Sequence, residues 1–211
     1  MDISPVEESL TKIGDAVLKE FPGADAVSVT LMDHETIETA YSTDSDATAV
    51  DEVQYANGTG PCVDAMRGNF VVRTEDLAVE DRWPQYARAA QDKGFSAVLA
   101  APLELESISI GALNIYSRSS GPFSEDLVPA ARAYATQASF AVDYAKLYER
   151  AAVTVEQLEE ALKSRAVIDQ AIGILMEREK VGSREAFEML RTASQHSNVK
   201  LRDIANRIVG T

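Results

Sequence analysis

Residues 164–211, SRAVIDQAIGILMEREKVGSREAFEMLRTASQHSNVKLRDIANRIVGT, carry the most informative pattern in the chain. Apolar residues recur every three or four positions in three successive segments, which is typical of amphipathic helices. Ser183 is expected to cap the second helix, and Ser197 or Asn198 to cap the third. The inward positions hold Ala, Leu, Ile and one aromatic residue, Phe187. The stretch therefore predicts a compact bundle of three short helices with Phe187 in its core.

The charge of this stretch differs from that of the rest of the chain. It contains eight Lys and Arg against six Asp and Glu, a net charge of +2, whereas the whole chain carries −14, so residues 1–163 carry −16. Such asymmetry suggests a polyanionic partner for the minority region. An excess of two positive charges is equally compatible with an ordinary solvated helix surface. Because the acidic part would repel nucleic acid, we expect any nucleic-acid binding at the C-terminal end only.

The composition argues against several classes of protein. A single cysteine, Cys62, rules out an internal disulfide framework, and two histidines, His34 and His196, leave no Cys/His metal cluster. No apolar run approaches the roughly 18 residues of a membrane span, and the N-terminus lacks the basic and apolar regions of a signal peptide. Neither histidine has a spacing that suggests a catalytic dyad with Cys62. We therefore predict a cytoplasmic protein that is not an enzyme, with no metal site and no membrane partner.

Residues 1–149 are predicted to form an α+β domain with a central, mostly antiparallel sheet. The expected order is a helix, a hairpin of two strands, a helix with loops, a short strand, a helix, two strongly apolar strands and a long helix. Residues 26–32 alternate between apolar and polar, which is typical of a half-buried strand. In the last strand the apolar parity changes at Gly111, which predicts a β-bulge.

Three segments of this domain resemble the GAF domain, a small-molecule-sensing fold: QYANGTGPCVDAMRGN (54–69), RWPQYARAAQDKGFSAVLAAPL (82–103) and IGALNIYSRSSGPFSEDL (110–127). The resemblance implies a ligand pocket over the sheet, beneath loops at 42–62 and 80–95. The aromatic residues and the cysteine expected to face this pocket are Tyr55, Cys62, Trp83, Tyr86 and Phe95. Ordinary core packing is the alternative role for each of them. Nothing in the segments selects a cyclic nucleotide, haem or bilin, so the ligand and any cofactor stay unknown.

Cys62 allows two further interpretations. It lies close to the start of a predicted helix, where a lowered thiol pKa would favour the thiolate and hence a redox-sensing or covalent attachment role. A free cysteine is also among the most often buried residues, and it then behaves as a small apolar side chain. The sequence leaves both interpretations open.

The region that connects the two domains is expected to be helical, because residues 131–172 contain no Gly or Pro. Positions at 4-3 spacing predict a coiled-coil seam formed by Leu147, Ala151, Thr154, Leu158, Ala161, Arg165, Ile168, Ile172 and Leu175. The seam is poor, since Ala, Thr and Arg fill several core positions. We expect a homodimer in which this connector either changes register or serves as a plain continuous helix.

The segments AIGILMEREKV (171–181) and SREAFEMLRTASQHSNVKLRDIANRIV (183–209) resemble the ANTAR domain, an RNA-binding module of bacterial transcription antitermination regulators. The resemblance implies a GAF sensor domain over 1–149 and an ANTAR domain over 150–211. Glycine within a helix costs about 1 kcal/mol relative to alanine, so Gly173 predicts a close approach by a neighbouring helix or by RNA.

The resemblance further implies that the protein binds hairpin loops of a leader transcript and thereby prevents a competing terminator from folding. Sequence-specific RNA recognition targets splayed loop bases. Because Phe187 is expected in the core, these bases are assigned to Arg, Asn, Gln, Ser and Lys side chains, namely Arg165, Gln170, Arg191, Ser194, Gln195, Asn198, Lys200 and Arg207. The alternative roles are helix capping for Asn198 and a solvated surface for Lys200 and Arg207.

Two other functions stay open at this point. The bundle could instead read duplex DNA, which would make the protein a DNA-binding transcriptional regulator. Alternatively, the GAF domain could be the active part, as a redox or ligand sensor, with the helical bundle used for dimerisation only.

Overall fold

The structure is a computed structural model, and it describes residues 5–33, 36–119, 121 and 123–210. His34 lies outside these residues. The chain divides into two compact units, Met1–Lys146 and Leu147–Thr211. The sequence-based domain boundary between residues 149 and 150 falls close to this division and stays a prediction.

The first unit is built on a five-stranded antiparallel sheet with the strand order β2-β1-β5-β4-β3. The strands are β1 (Ala26–Asp33), β2 (Thr36–Ser42), β3 (Val72–Thr74), β4 (Ala97–Leu105) and β5 (Ile108–Ser117). Four helices belong wholly to this unit, namely α1 (Pro5–Glu20), α2 (Ser45–Asn57), α3 (Pro61–Gly68) and α4 (Pro84–Asp92). The predicted α+β class and element order are confirmed.

Both faces of the sheet are covered by helices. On one face, Val27 and Val29 of β1 join a core with α1 and the first turns of the long helix α5 (Val128–Glu179). On the other face, α2 and α3 pack against the sheet, so Ser28 and Thr30 of β1 are fully buried. The prediction of a half-buried strand at 26–32 is therefore wrong, because helices cover its polar side as well as its apolar side.

The bulge predicted at Gly111 is present one residue earlier. Leu103 pairs with Gly111 and Glu104 with Ser109, which leaves Ile110 as the extra residue. A Cβ atom at Gly111 would lie 2.0 Å from the carbonyl oxygen of Thr30. Any side chain there would separate β1 from β5, so the close approach of the two strands requires glycine.

The second unit is a small bundle made by the C-terminal part of α5 together with α6 (Ser183–Ser197) and α7 (Leu201–Val209). Its buried residues are Ala171, Ala186, Leu190 and Ala205, and three of them, Ala171, Leu190 and Ala205, form one contiguous cluster. The first bundle helix is thus no separate short element, since it continues a helix of 52 residues.

The helix ends of the bundle differ from the predicted caps. Gly182 occupies the N-cap position of α6, and Ser183 is already its first helical residue. Asn198 ends α6 in the left-handed conformation with φ 52°, and Lys200 precedes α7 without a side-chain cap. Asparagine tolerates this conformation better than most residues. The prediction that Ser197 or Asn198 caps the third helix is therefore wrong.

Candidate functional site

A buried polar network lies between the sheet and helix α2, and it is centred on the carboxylate of Asp51. Both carboxylate oxygens accept hydrogen bonds, and no ion pair of Asp51 occurs among the described residues. The donors are side chains of strands β1, β2 and β5 and of α2, namely Tyr116 at 2.5 Å, Ser28 at 2.6 Å, Gln54 at 2.9 Å, Asn114 at 3.1 Å and Thr39 at 3.3 Å.

Burial dominates the electrostatics of this carboxylate. It raises the pKa of Asp51 from 3.8 to about 6, while the hydrogen bonds from Ser28 and Tyr116 act in the opposite direction. A charge removed from water is costly unless it is compensated. The pKa of Asp51 is therefore closer to neutral pH than that of an exposed carboxyl group, and the donors that hold the carboxylate are all neutral.

Tyr55 and Cys62 extend the network towards β1. The hydroxyl of Tyr55 lies 2.7 Å from Thr30 Oγ1 and 2.9 Å from Thr39 Oγ1. Cys62 Sγ donates to Thr30 Oγ1 at 3.3 Å, and the Cys62 backbone N–H donates to Gln54 Oε1 at 3.0 Å. These bonds tie the start of α3 and the end of α2 to the sheet.

The environment of Cys62 opposes activation of its thiol. Its side chain is fully buried, and burial together with the nearby charge of Asp51 raises the pKa of the thiol from 9.0 to about 12. The thiolate, which is the reactive form, is therefore suppressed. The expectation that the helix start lowers this pKa is wrong, because burial outweighs the effect of the helix.

The other three predicted pocket residues also lie on this side of the sheet. Trp83, Tyr86 and Phe95 are buried in one apolar cluster with residues of α2 and α4. The indole Nε1 of Trp83 donates to Asp64 Oδ2 at 2.8 Å, and the ring of Phe95 lies 5.0 Å from that of Tyr116 between centroids. The side chains are thus brought together, but they pack against each other as a core does, and their role as ligand contacts stays a prediction.

The residues that sequence reasoning missed are the polar partners of Asp51. Ser28 and Thr30 alternate with valines, which suggested a solvent-facing side of β1, and Asn114 interrupts an apolar strand. The available signal was the polar residue Asn114 inside the run GALNIY, since a polar side chain in a buried strand needs a hydrogen-bond partner. Asp51 itself lies in a helix of mixed composition and gave no signal of its own.

The eight predicted RNA-binding residues all lie in the second unit, and seven of them are exposed. Ser194 is half-buried, and its hydroxyl donates to the carbonyl oxygen of Val199 at 2.6 Å. Arg165 and Arg191 form ion pairs with acidic neighbours on their own helices, Asp169 at 3.8 Å and Glu188 at 2.6 Å. The ion pairs are solvent-exposed, so RNA phosphates would compete with them at little cost.

Helix α6 brings four of these residues together. Arg191, Ser194, Gln195 and Asn198 follow one another at i, i+3, i+4 and i+7, which places them on one face of the helix and at its end. Arg165 and Gln170 belong to α5, Lys200 directly precedes α7, and Arg207 lies in the last turn of α7. The sequence spacing thus assembles half of the predicted set, and the remainder is distributed over the other two helices.

The placement predicted for Phe187 is wrong. Its side chain is 37% exposed, whereas the adjacent Ala186 is fully buried. Three or four residues separate Phe187 from Arg184 and Arg191, so it lies on the same face of α6 as these arginines. The periodic pattern of a small bundle does not distinguish its core from the edge of that core.

The residues of the predicted coiled-coil seam lie in two different environments. Three of its residues are partly buried against the core of their own bundle, namely Ile168, Ile172 and Leu175. Packing within one chain therefore accounts for their spacing, and a seam with a second chain stays a prediction. Apolar side chains nearer the N-terminal end of the second unit's part of α5 are exposed. We call these residues the apolar stripe: Leu147, Tyr148, Val155, Leu158 and Leu162.

Gly173 lies on an open part of α5. Apart from the adjacent backbone of α5 and the two flanking residues, no described atom comes within 4 Å of the position that its Cβ would occupy, so no other helix among the described residues makes close contact there. Of the two explanations predicted for this glycine, a neighbouring helix of the same chain is excluded among the described residues.

None of the described helices is long and apolar enough to cross a membrane. Groups of three or more His, Cys, Asp or Glu side chains that could hold a metal ion are also absent from the described residues.

Comparison with solved structures shows the fold of the first unit. GAF3 from Slr1393 of Synechocystis sp. PCC6803 is 16% identical, with a TM-score of 0.57, and the match covers 69% of this chain and 98% of that chain. The GAF domain of a phosphoenolpyruvate-protein phosphotransferase from Coxiella burnetii is 15% identical, with a TM-score of 0.56 and coverages of 69% and 86%. A type II free methionine-R-sulfoxide reductase from Thermoplasma acidophilum is 15% identical, with a TM-score of 0.50 and coverages of 67% and 96%.

Comparison with curated proteins found no match. Two family models match the chain, that of the GAF domain over residues 4–143 and that of the ANTAR domain over residues 156–209. The chain therefore belongs to the GAF domain family and carries an ANTAR domain in its C-terminal part.

Proposed function

We propose that this protein is a signal-responsive transcription antitermination regulator that binds stem-loops in nascent leader RNA. The observation that carries the proposal is the exposed face of α6 inside the ANTAR domain, where Arg191, Gln195 and Asn198 lie together. Guanidinium and amide groups suit unpaired loop bases, whose edges are accessible, unlike those in the deep groove of an A-form helix.

The distribution of charge supports binding at this end of the chain. Residues 164–211 have a net charge of +2 and residues 1–163 a net charge of −16. Phosphate contacts require cations that are free to approach. Lys200 and Arg207 are exposed and belong to no ion pair among the described residues. We therefore assign them to contacts with phosphate groups.

The GAF domain is proposed to sense a small molecule or another signal, at the side of the sheet that holds Asp51. The proposed contacts of a small-molecule ligand are Tyr55, Cys62, Trp83, Tyr86 and Phe95. Asn114 Oδ1 is buried there without a hydrogen-bond partner among the described residues, and a ligand could satisfy it. Because the surrounding side chains are tightly packed, a ligand that enters must rearrange them. Binding and conformational change are therefore coupled in this proposal.

The proposal includes a homodimer in the cytoplasm and assigns no enzymatic activity to the chain. The apolar stripe of α5 supports pairing with a second copy, since exposed apolar side chains at helical spacing are typical of helix–helix interfaces. Sedimentation of the full chain tests this part, and a monomer would contradict it.

The central experiment measures binding of RNA hairpins to the full chain and to Lys200→Ala and Arg207→Ala. Each variant should weaken binding to all hairpins and reduce the slope of log affinity against log salt by about 1, because one phosphate contact is lost. Lys19→Ala, which removes an exposed cation from the first unit, is the matched control and should bind as the wild type does.

Two results would contradict the proposal. Unchanged affinity in both variants would remove the RNA assignment of the third helix. Equal competition by a DNA duplex and by a hairpin would favour a DNA-binding regulator instead.

A further inference from the structure

Phe187 is an exposed aromatic side chain in a unit that has no other aromatic residue after Tyr148. Its neighbours in the helix, Ala186 and Leu190, are buried in the bundle. Phe187 itself is 37% exposed. An aromatic face left exposed on a binding domain can make a contact that aliphatic side chains cannot, because it stacks on other planar groups.

The charged residues around Phe187 are arranged symmetrically along α6. Arg184 lies three residues before it and Arg191 four residues after it, so one arginine is placed about one turn away on either side. Both arginines are exposed. Arg191 pairs with Glu188 at 2.6 Å, and Arg184 has no ion pair among the described residues. The same helical face continues to Gln195 and Asn198.

We propose that Phe187 is a stacking platform for an unpaired base of the RNA loop, and that Arg184 and Arg191 contact the phosphates on its two sides. This inference rests on the proposed function and adds two residues that the sequence analysis did not assign to RNA. Nucleic-acid-binding proteins combine aromatic side chains, on which bases stack, with cations that follow the backbone. Guanidinium groups suit this task because they bind phosphate oxygens in a bidentate manner.

The surroundings of Phe187 fit RNA better than a second protein chain. A helix–helix interface needs exposed apolar residues repeated at 4-3 spacing. Of the positions three or four residues from Phe187, Leu190 is enclosed in the bundle, and the exposed ones are Ser183 and the two arginines. The other exposed apolar side chain of the helix, Met189, is two residues away and therefore lies on a different face. A single ring between two cations is complementary to a base between two phosphates.

Phe187→Leu is the decisive variant, because leucine keeps an apolar side chain at this position and removes the aromatic face. We expect hairpin affinity to fall about 5- to 150-fold, the range found when a stacked base loses its aromatic partner. Phe187→Trp should retain binding. The tryptophan that it introduces should lose fluorescence when hairpin is added, whereas Trp83 is buried in the other unit and supplies a constant background. Met189→Leu is the matched control, since Met189 is 38% exposed on the same helix, and it should bind as the wild type does.

A second measurement identifies the stacked base. Hairpins in which one loop base at a time is replaced by an abasic site are titrated with the wild type and with Phe187→Leu. At the stacked position, the abasic site should lower the affinity of the wild type and leave that of Phe187→Leu unchanged, because both changes remove the same interaction. At every other position the two losses should add.

The outcomes separate this inference from the proposed function. If the wild type binds hairpins and Lys200→Ala weakens binding, but Phe187→Leu binds normally, the stacking role alone is overturned. If the wild type binds no hairpin, the proposed function fails first. If Phe187→Leu changes the sedimentation of the protein and leaves RNA binding intact, the exposed ring belongs to a protein interface, and the inference is wrong. Circular dichroism verifies that each variant is folded.

Discussion

The GAF domain encloses its polar centre, whereas the ANTAR bundle carries its candidate recognition residues on the outside. Five side chains donate to Asp51 in a region covered by helices, while Arg191, Gln195 and Asn198 are exposed on and at the end of α6. The GAF domain has extensive apolar cores on both sides of its sheet, but the bundle fully buries only four small or aliphatic residues among those described. An enclosed site must rearrange its packing to respond, and an exposed one binds as it stands.

The largest effect is expected from the bundle core. Leu190→Ala should lower the free energy of unfolding of the bundle by about 2–5 kcal/mol. Because so small a core cannot compensate for a cavity, the helical circular dichroism signal of the bundle should be lost at a lower temperature than in the wild type. Hairpin binding should be lost as well. Fluorescence of Trp83, the only tryptophan of the chain, should still report an intact GAF domain.

Val153→Ala is the control for this variant, because Val153 is exposed on α5 and lies outside the apolar stripe. It should change stability by no more than about 0.5 kcal/mol. Simultaneous loss of the Trp83 signal in Leu190→Ala would show that the two units unfold together, which would remove the contrast between them.

A smaller effect is expected from the enclosed carboxylate, and it depends on pH. Folding raises the pKa of Asp51 from 3.8 to about 6, so its contribution to stability is fully present below about pH 3.8 and is lost as the pH rises through 6. Urea unfolding of the wild type and of Asp51→Asn, followed through Trp83, should show their stability difference shifting against the wild type by about 2 kcal/mol between pH 4 and pH 8.

Asp46→Asn provides a control of opposite sign. A hydrogen bond from Lys93 lowers the pKa of Asp46, so the contribution of this residue is present above its ordinary pKa of 3.8 and is lost only as the pH falls. Its variant should show no such shift against the wild type towards neutral pH. A flat difference for Asp51→Asn would mean that water reaches the network.

The smallest change in stability is expected at Gly173, and it should have the opposite sign to the change at Gly111. Gly173→Ala should raise the stability of the bundle by about 0.5–1 kcal/mol, because alanine is a better helix former and nothing described lies within 4 Å of the new atom. Gly111→Ala should instead destabilise the GAF domain, since its Cβ would meet the Thr30 carbonyl. Thermal unfolding measures both. A loss of stability in Gly173→Ala would show that another helix, such as that of a second copy, already packs there.

The regular elements were predictable because they follow local periodicity. The strands, the helices and the bulge near Gly111 all leave a pattern of two or of three to four residues in the chain. Ser28 was misassigned because alternation does not reveal how many faces of a sheet are covered. The packing of Ile168 in its own bundle was not predictable, because a 4-3 pattern fits an intermolecular seam and an intramolecular core equally well.

Candidate sites were predicted less well than elements, since side-chain environment depends on residues distant in sequence. The thiol of Cys62 lies at a helix start, as expected, but the strands beneath it supply the burial that governs its pKa. Phe187 and Ala186 are consecutive, and only the packing of α6 against its neighbours decides which of them is enclosed. The spacing of Arg191, Gln195 and Asn198 was readable because it depends on one helix alone.

The apolar stripe of α5 also links the solubility of the protein to its concentration. Exposed apolar surface on a single chain favours nonspecific association, so the chain should be least prone to aggregation when a specific partner covers this surface. With a second copy as that partner, mass action makes the melting temperature rise as the protein is concentrated. The cellular level of the protein would then set the fraction of chains that are paired, and with it the fraction that resists proteolysis and aggregation.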